Sequence, residues 1–224
     1  MHTRLLFPIL ACSALAACVL PPGNDRIVRN ATTAFEGDAA EHGKYSGTGS
    51  FLSEELTPNG TLALGAKEAP NTFMVFLNMR CSYCRMFLTD FLPELEREFV
   101  TPGTLRIEIV LVPLKKYSDS YDRALQLLCA IKQEKGRSML EALANLSRED
   151  ATPVTLQKRL GLDATLWRTC LQDPVTRTMV EAETALGTSL HVSLLPTFFL
   201  NGERHIGLPE LADLLGLIRP LQEP

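Results

Sequence analysis

Phe73-Met74-Val75-Phe76-Leu77 is followed, after Asn78-Met79-Arg80, by Cys81-Ser82-Tyr83-Cys84 and then by a helix-like stretch from Arg85 to Leu88. The apolar run does not alternate with polar residues, which marks a strand covered on both faces. A strand that delivers a C-x-x-C to the first turn of a helix places the first sulfur over unpaired backbone N–H groups. Those groups and the positive helix end stabilise a thiolate, lowering a thiol pKa from ~8.5 to roughly 3.5–7.5. A reactive thiol with a second thiol one turn away is a device for making and breaking disulfides. The stretch therefore points at once to an α/β fold and to redox chemistry.

On its N-terminal side, Leu62-Ala63-Leu64-Gly65 before Ala69-Pro70 reads as a short strand and a turn. The globular domain is expected to start near Thr61 and to run to about residue 220. Residues 18–60, rich in Gly, Asn, Thr and acids with Pro21-Pro22 near the start, read as a tether or N-terminal arm, with a short helix possible within Ser50 to Leu56. On the C-terminal side, the helix is expected to break at Pro93 and restart as Glu94–Val100. Leu105 to Val112 is a second buried strand. A helical block then fills residues 118–187, with helices at Asp122–Glu134, Ser138–Leu146, Val154–Leu160, Asp163–Leu171 and Pro174–Leu186. Thr197–Leu200 and Arg204–Ile206 form an antiparallel hairpin through Asn201-Gly202, and an amphipathic helix from Leu208 to Ile218 closes the chain. The order strand, helix, strand, helical block, strand, strand, helix describes an α/β sheet interrupted by a helical insertion.

Met1-His2-Thr3-Arg4 carries a positive charge without an acid, and Leu5 to Ala17 is apolar or small throughout. That run is too short to span a bilayer, which needs about 20 apolar residues, but suits the core of an export signal. Residues 1–17 are therefore read as a signal peptide. Leu15-Ala16-Ala17-Cys18 resembles the lipobox of bacterial lipoproteins, which makes Cys18 the candidate lipidation site and the lipid the expected membrane attachment; Leu10-Ala11-Cys12 is a poorer candidate. Removing residues 1–17 takes one of the 22 basic residues and none of the 26 acids, leaving a net charge of −5. That balance gives no footprint for nucleic acid. The remaining length suits one domain with an insertion, and 46% apolar content supports a real core.

Setting aside Cys12 and Cys18, four of the six cysteines remain: Cys81, Cys84, Cys129 and Cys170. An even number in an exported protein suggests two pairs. The motif favours Cys81 with Cys84, leaving Cys129 with Cys170 as a structural disulfide between insertion helices; two buried free thiols are the alternative. A zinc site wants four ligands at suitable spacing. There is no second C-x-x-C, and His2, His42, His191 and His205 form no paired motif, so neither metal nor other cofactor is expected.

Together with Phe91-Leu92-Pro93-Glu94-Leu95, Leu128-Cys129-Ala130, Leu160-Gly161-Leu162-Asp163, Cys170-Leu171 and Leu195-Pro196-Thr197-Phe198-Phe199-Leu200-Asn201-Gly202, the motif resembles the DsbA-like branch of the thioredoxin fold. These are bacterial exported proteins with C-x-Y-C or C-P-Y-C sites. The resemblance implies a thioredoxin fold with the helical insertion between its βαβ and ββα halves. It implies Cys81 as the exposed nucleophile and Cys84 as the more buried resolving thiol. Pro196 resembles the family's cis-proline, opposite the sulfurs, where the Leu195 backbone would pair with an extended substrate. Leu195, Pro196, Ser82 and Tyr83 are the substrate-binding residues so implied.

Two departures stand out. Strong oxidants of the family often carry histidine where Tyr83 stands, so an intermediate reduction potential is expected. Relatives also often bury an acid beneath the resolving cysteine, and Phe73–Leu77 contains none. Arg80 and Arg85 flank the motif, either helping a thiolate or lying solvated at the surface. The function expected is thiol–disulfide exchange in the periplasm or cell envelope, forming or rearranging disulfides. Its partners would be exported proteins with thiols or disulfides and a membrane redox protein that recycles the pair. An isomerase or reductase, or a copper-handling or redox-gated binding protein, is the alternative.

Overall fold

A computed structural model describes residues 53–147, 150 and 152–222. The signal peptide, Cys18 and most of the arm lie outside the described residues. Six strands form a single sheet: β1 (Glu54–Leu56), β2 (Leu62–Leu64), β3 (Asn71–Leu77), β4 (Leu105–Leu111), β5 (Thr197–Leu200) and β6 (Glu203–Ile206), in the order β1-β2-β4-β3-β5-β6. β3 and β4 run parallel, with Phe73 opposite Ile107 and Leu77 opposite Leu111; every other pairing is antiparallel. Phe73, Val75 and Leu77 are fully buried and so is Phe76 between them, as the unbroken apolar run requires of a central strand.

The connection from β3 to the parallel β4 is helical from Ser82 to Val100, and here the structure departs from the expected break at Pro93. Ser82–Met86 (α1) passes into π-type turns at Phe87–Phe91, then Leu92–Leu95 (α2), then further π-type turns at Glu96–Val100. Proline has no N–H to give a normal turn. The wide turn ahead of it absorbs that loss: Leu92 N–H reaches Phe87 O, and Thr89 Oγ1 donates to Arg85 O and Met86 O. The apolar face therefore continues unbroken through Phe87, Leu88, Phe91, Leu92, Leu95 and Phe99, all buried. Phe73 stacks with Phe87 at 5.9 Å and with Phe198 of β5 at 4.8 Å, joining the two halves of the sheet to this helix.

The insertion comprises α3 (Ser120–Ile131), α4 (Gly136–Asn145), α5 (Pro153–Leu160), α6 (Ala164–Gln172) and α7 (Pro174–Ser189). Asp119, not Asp122, stands at the start of α3. Thr152, Asp163 and Asp173 cap α5, α6 and α7 with side-chain oxygens, and prolines open α5 and α7. α7 lies against the sheet through Gly187, where a Cβ would come within 3.7 Å of the Phe76 ring. The chain ends with α8 (Leu211–Ile218) and a 3₁₀ turn, Arg219–Gln222.

The arm is shorter than expected. Residues 54–56 are a strand rather than part of a helix, and the domain reaches back to residue 53 instead of starting at 61. Polar ties hold that strand in place. The Glu54 carboxylate accepts the Gly136 and Arg137 N–H groups at 2.7 and 2.9 Å, capping α4 from another element. Arg137 in turn makes two bonds to Glu96, at 2.5 and 3.1 Å, clamping the insertion to the helical run. Gly65, with φ of +98°, ends β2 where a Cβ would lie 2.7 Å from Val100 Cγ1 and 2.9 Å from Leu105 O.

Candidate redox site

A tight turn aims the dithiol. Asn78 is buried; its Nδ2 donates to Val112 O and Ser120 Oγ, both at 2.6 Å, and its Oδ1 accepts the Arg80 N–H at 2.9 Å. Cys81 N–H then donates to Asn78 O at 3.0 Å. The end of β3 is thereby fixed to the end of β4 and to the first residue of α3. Asn78 went unremarked in the sequence, where a single asparagine after a strand reads as ordinary turn chemistry.

Cys81 occupies the N-cap of α1 with extended backbone (φ −87°, ψ 122°), and its Sγ accepts the Cys84 N–H at 3.3 Å. Arg85 N–H donates to Cys81 O at 3.1 Å, closing the first helical turn. Cys81 is half-buried and Cys84 fully buried; both are free thiols. Burial above all, and then the hydrogen bond with Cys81, pushes the Cys84 thiol far above its ordinary range. The Asn78 backbone and the Arg85 charge oppose that shift without overcoming it.

The Leu195–Pro196 peptide bond is cis, and Leu195 O lies 3.5 Å from Cys81 Sγ. Thr197 Oγ1 donates to Leu194 O at 2.7 Å and Gly207 N–H to Pro196 O at 2.8 Å, tying this loop to the β5–β6 hairpin. The structure thus brings Cys81, Cys84, Leu195 and Pro196 to one place, with Ser82 and Tyr83 exposed beside them, Tyr83 by 59%. Cys129 and Cys170 lie apart, joined by a disulfide between α3 and α6.

Neither arginine is simply solvated. Arg80 Nε lies 3.3 Å from Asp119 and its guanidinium stands 5.1 Å from the Tyr117 ring centre; Arg85 Nη1 donates to Met79 O at 2.9 Å. The sheet does bury an acid, although not on β3: Glu183, on α7, is 1% exposed. Sequence periodicity alone cannot separate it from the solvated acids of a helix such as α7. Among the described residues, no group of three or more His, Cys, Asp or Glu side chains is gathered as a metal site would need.

A family model described as thioredoxin matches residues 57–219. The chain belongs to the thioredoxin family. No curated protein matches the sequence. Among solved structures, this thioredoxin-family chain is similar to alpha-DsbA1 from Wolbachia pipientis, at 20% identity, covering 74% of this chain and 92% of that one with a TM-score of 0.63. It is also similar to oxidised BdbD from Bacillus subtilis, at 20% identity over 77% and 98% of the two chains, TM-score 0.62. DsbA from Chlamydia trachomatis matches at 19% identity over 72% and 93%, TM-score 0.60. The fold is that of the DsbA-type structures, a thioredoxin fold with a helical insertion between its halves.

Proposed function

We propose that the protein carries out thiol–disulfide exchange through Cys81 and Cys84, with Cys81 as the sulfur that meets the partner. The observation that carries this is the placement of Cys81 Sγ between the Cys84 N–H and the carbonyl of Leu195, before the cis-proline. The Cys81 thiol accepts the Cys84 N–H and donates to Leu195 O. The loop before Pro196 offers main-chain groups to an extended peptide.

In the oxidising direction, a substrate thiolate attacks Cys81 of the Cys81–Cys84 disulfide. The bond between the two cysteines breaks, and Cys84 leaves and takes up a proton. The substrate's second thiolate then attacks its own sulfur in the mixed disulfide, releasing Cys81 and leaving two electrons on the pair. The strongly raised Cys84 thiol stays protonated near neutral pH, so it is slow to attack the mixed disulfide and return the substrate unoxidised. In the reverse direction, Cys81 opens a substrate disulfide and Cys84 releases it after losing its proton.

The segment around Leu15-Ala16-Ala17-Cys18 supports export and lipid attachment at Cys18, hence work at the cell envelope beside a membrane protein that recycles the pair. No helix among the described residues is long and apolar enough to cross a membrane. The deciding measurement is the equilibrium of the Cys81/Cys84 pair with glutathione. Known proteins of this fold span about −270 to −120 mV, and every 30 mV is about 1.4 kcal/mol. A value in the upper half of that span supports donation of disulfides and a value near its lower end supports reduction. A pair that does not equilibrate with glutathione rules out the reading.

A further inference from the structure

The asparagine that precedes the motif makes more contacts than a turn needs. β3 and β4 are joined as far as the Val112 N–H, which donates to Leu77 O at 2.8 Å. At the next residue the Asn78 side chain adds a further rung, donating to Val112 O at 2.6 Å. Its Nδ2 also donates to Ser120 Oγ at 2.6 Å, and its Oδ1 takes the Arg80 N–H, two residues on, at 2.9 Å. A carboxamide carries two N–H donors and one carbonyl oxygen. Each is engaged here, in a residue only 3% exposed. Aspartate would keep the shape without the donors, and alanine would lose all three bonds. Ser120, the first residue of α3, in turn accepts the Leu114 N–H at 2.8 Å, so the loop between β4 and α3 is held at the same point. The backbone of the clamped residue serves both cysteines. Asn78 O accepts the Cys81 N–H at 3.0 Å, and the Asn78 backbone draws the Cys84 thiol down against the effect of burial.

Resting on the exchange reading, we propose that Asn78 is a positioning residue for ring closure, holding the turn so that Cys84 is aligned to attack the Cys81 sulfur. In that step Cys84 gives its proton to water and its sulfur bonds to that of Cys81 in the mixed disulfide. The bond from Cys81 to the partner breaks, and the partner leaves as a thiolate with the electron pair. The step is intramolecular, so its rate depends on how narrowly the two sulfurs are held. In the closed pair the disulfide itself constrains the turn; in the dithiol and the mixed disulfide the Asn78 bonds supply that constraint. Without them both open forms gain freedom that closure must remove, so closure slows and the equilibrium moves towards the dithiol. The first attack, by Cys81 on a partner, is bimolecular and does not need Cys84 aligned.

The test uses the full chain, reduced at the dithiol with the Cys129–Cys170 disulfide intact, and oxidised glutathione as the partner. Acid quench and peptide mass spectrometry distinguish glutathione on Cys81 from the closed Cys81–Cys84 pair, and rates are expressed per folded molecule. N78A is expected to keep the first attack within about threefold of the parent while slowing closure about tenfold. The equilibrium with glutathione should move by a similar factor towards the dithiol. A loss of stability alone does not separate the two steps, so the split between them is the signature of positioning. Closure in N78A at the parent rate, or both steps falling together, would overturn the assignment. If N78A does not fold, S120A decides: it removes one of the three anchors and is expected to slow closure about two- to threefold, and closure at the parent rate overturns the role of Asn78. A parent protein that never reacts with oxidised glutathione fails the exchange reading itself. A parent that closes its pair no faster than the variant leaves that reading standing and removes only Asn78 from it.

Discussion

Cys129 sits fully buried in the last turn of α3 and is joined to Cys170 of α6, 41 residues further along. Cys81 and Cys84 stand three residues apart at the mouth of a helix, free, one half-exposed, with a carbonyl of a distant loop against the outer sulfur. The atoms are the same in both pairs; their surroundings divide the labour. The insertion pair is closed into a disulfide, with Cys129 fully buried and Cys170 half-buried. The motif pair has an amide directed at Cys81 and a protein interior around Cys84. Reactivity here follows from what the fold places next to a sulfur rather than from the presence of two cysteines within bonding reach.

The sharpest break of that division is C81S. Removing the outer sulfur is expected to lower exchange by roughly a thousandfold or more, as loss of a nucleophile does, in an insulin-reduction or scrambled-substrate refolding assay. C84S should instead accumulate mixed disulfides visible by mass spectrometry. The paired change C129A/C170A should do the opposite: exchange per folded molecule persists, while stability falls by about 4 kcal/mol for a loop of this length, read from urea unfolding under fixed redox conditions. A folded C129A/C170A protein without exchange would show that the two pairs act as one system.

The insertion is also held without covalent help, which offers a smaller test of the same contrast. Arg137 bridges α4 to Glu96, a glutamate that is 8% exposed. R137A leaves that carboxylate buried and unpaired, an expected loss of about 2–3 kcal/mol. The loss should appear in chemical unfolding and should add to that of C129A/C170A, because the sites share no partner. Strong non-additivity would mean that the insertion opens as one unit whichever tie is cut.

Much of this was legible in the residues. The run Phe73–Leu77 gave its strand, the C-x-x-C gave the helix start, and Asn201-Gly202 gave a hairpin whose two residues both take positive φ. The insertion helices were readable because Thr152, Pro153, Asp163, Asp173 and Pro174 mark their starts. What sequence could not supply depended on partners far away in the chain. β1 is three residues long, and its place rests on the N–H groups of Gly136 and Arg137, more than 80 residues on. Pro93 looked like a stop because the local rule considers one turn, whereas π-type turns and apolar burial on both sides carry the helix past it. At the site, the two cysteines and Pro196 were readable. Asn78 and Asp119 were not, since each matters only through the residues it meets.

Glu183 puts the effect of surroundings on an ionisable group to its finest test. Like Cys84 it is an ionisable group held in the interior, and burial raises its pKa well above the ordinary carboxyl value, with only the Leu111 backbone pulling the other way. In the oxidised protein Cys84 does not titrate, and the difference between the parent and E183Q separates this acid from Glu108 and Asp173, whose pKa values also shift on folding. The unfolded chain gives up the proton above about pH 4.3, whereas the folded protein keeps it to higher pH. The folded state therefore binds more protons, and stability falls as pH rises from that value towards the folded pKa. E183Q removes that proton and with it this acid's share of the slope. It should gain about 1–2 kcal/mol over the parent at pH 8, with the difference shrinking towards pH 4. A gain that does not change with pH would place the effect in packing rather than protonation. A change in exchange rate would show that the α7 face of the sheet feeds into the dithiol after all.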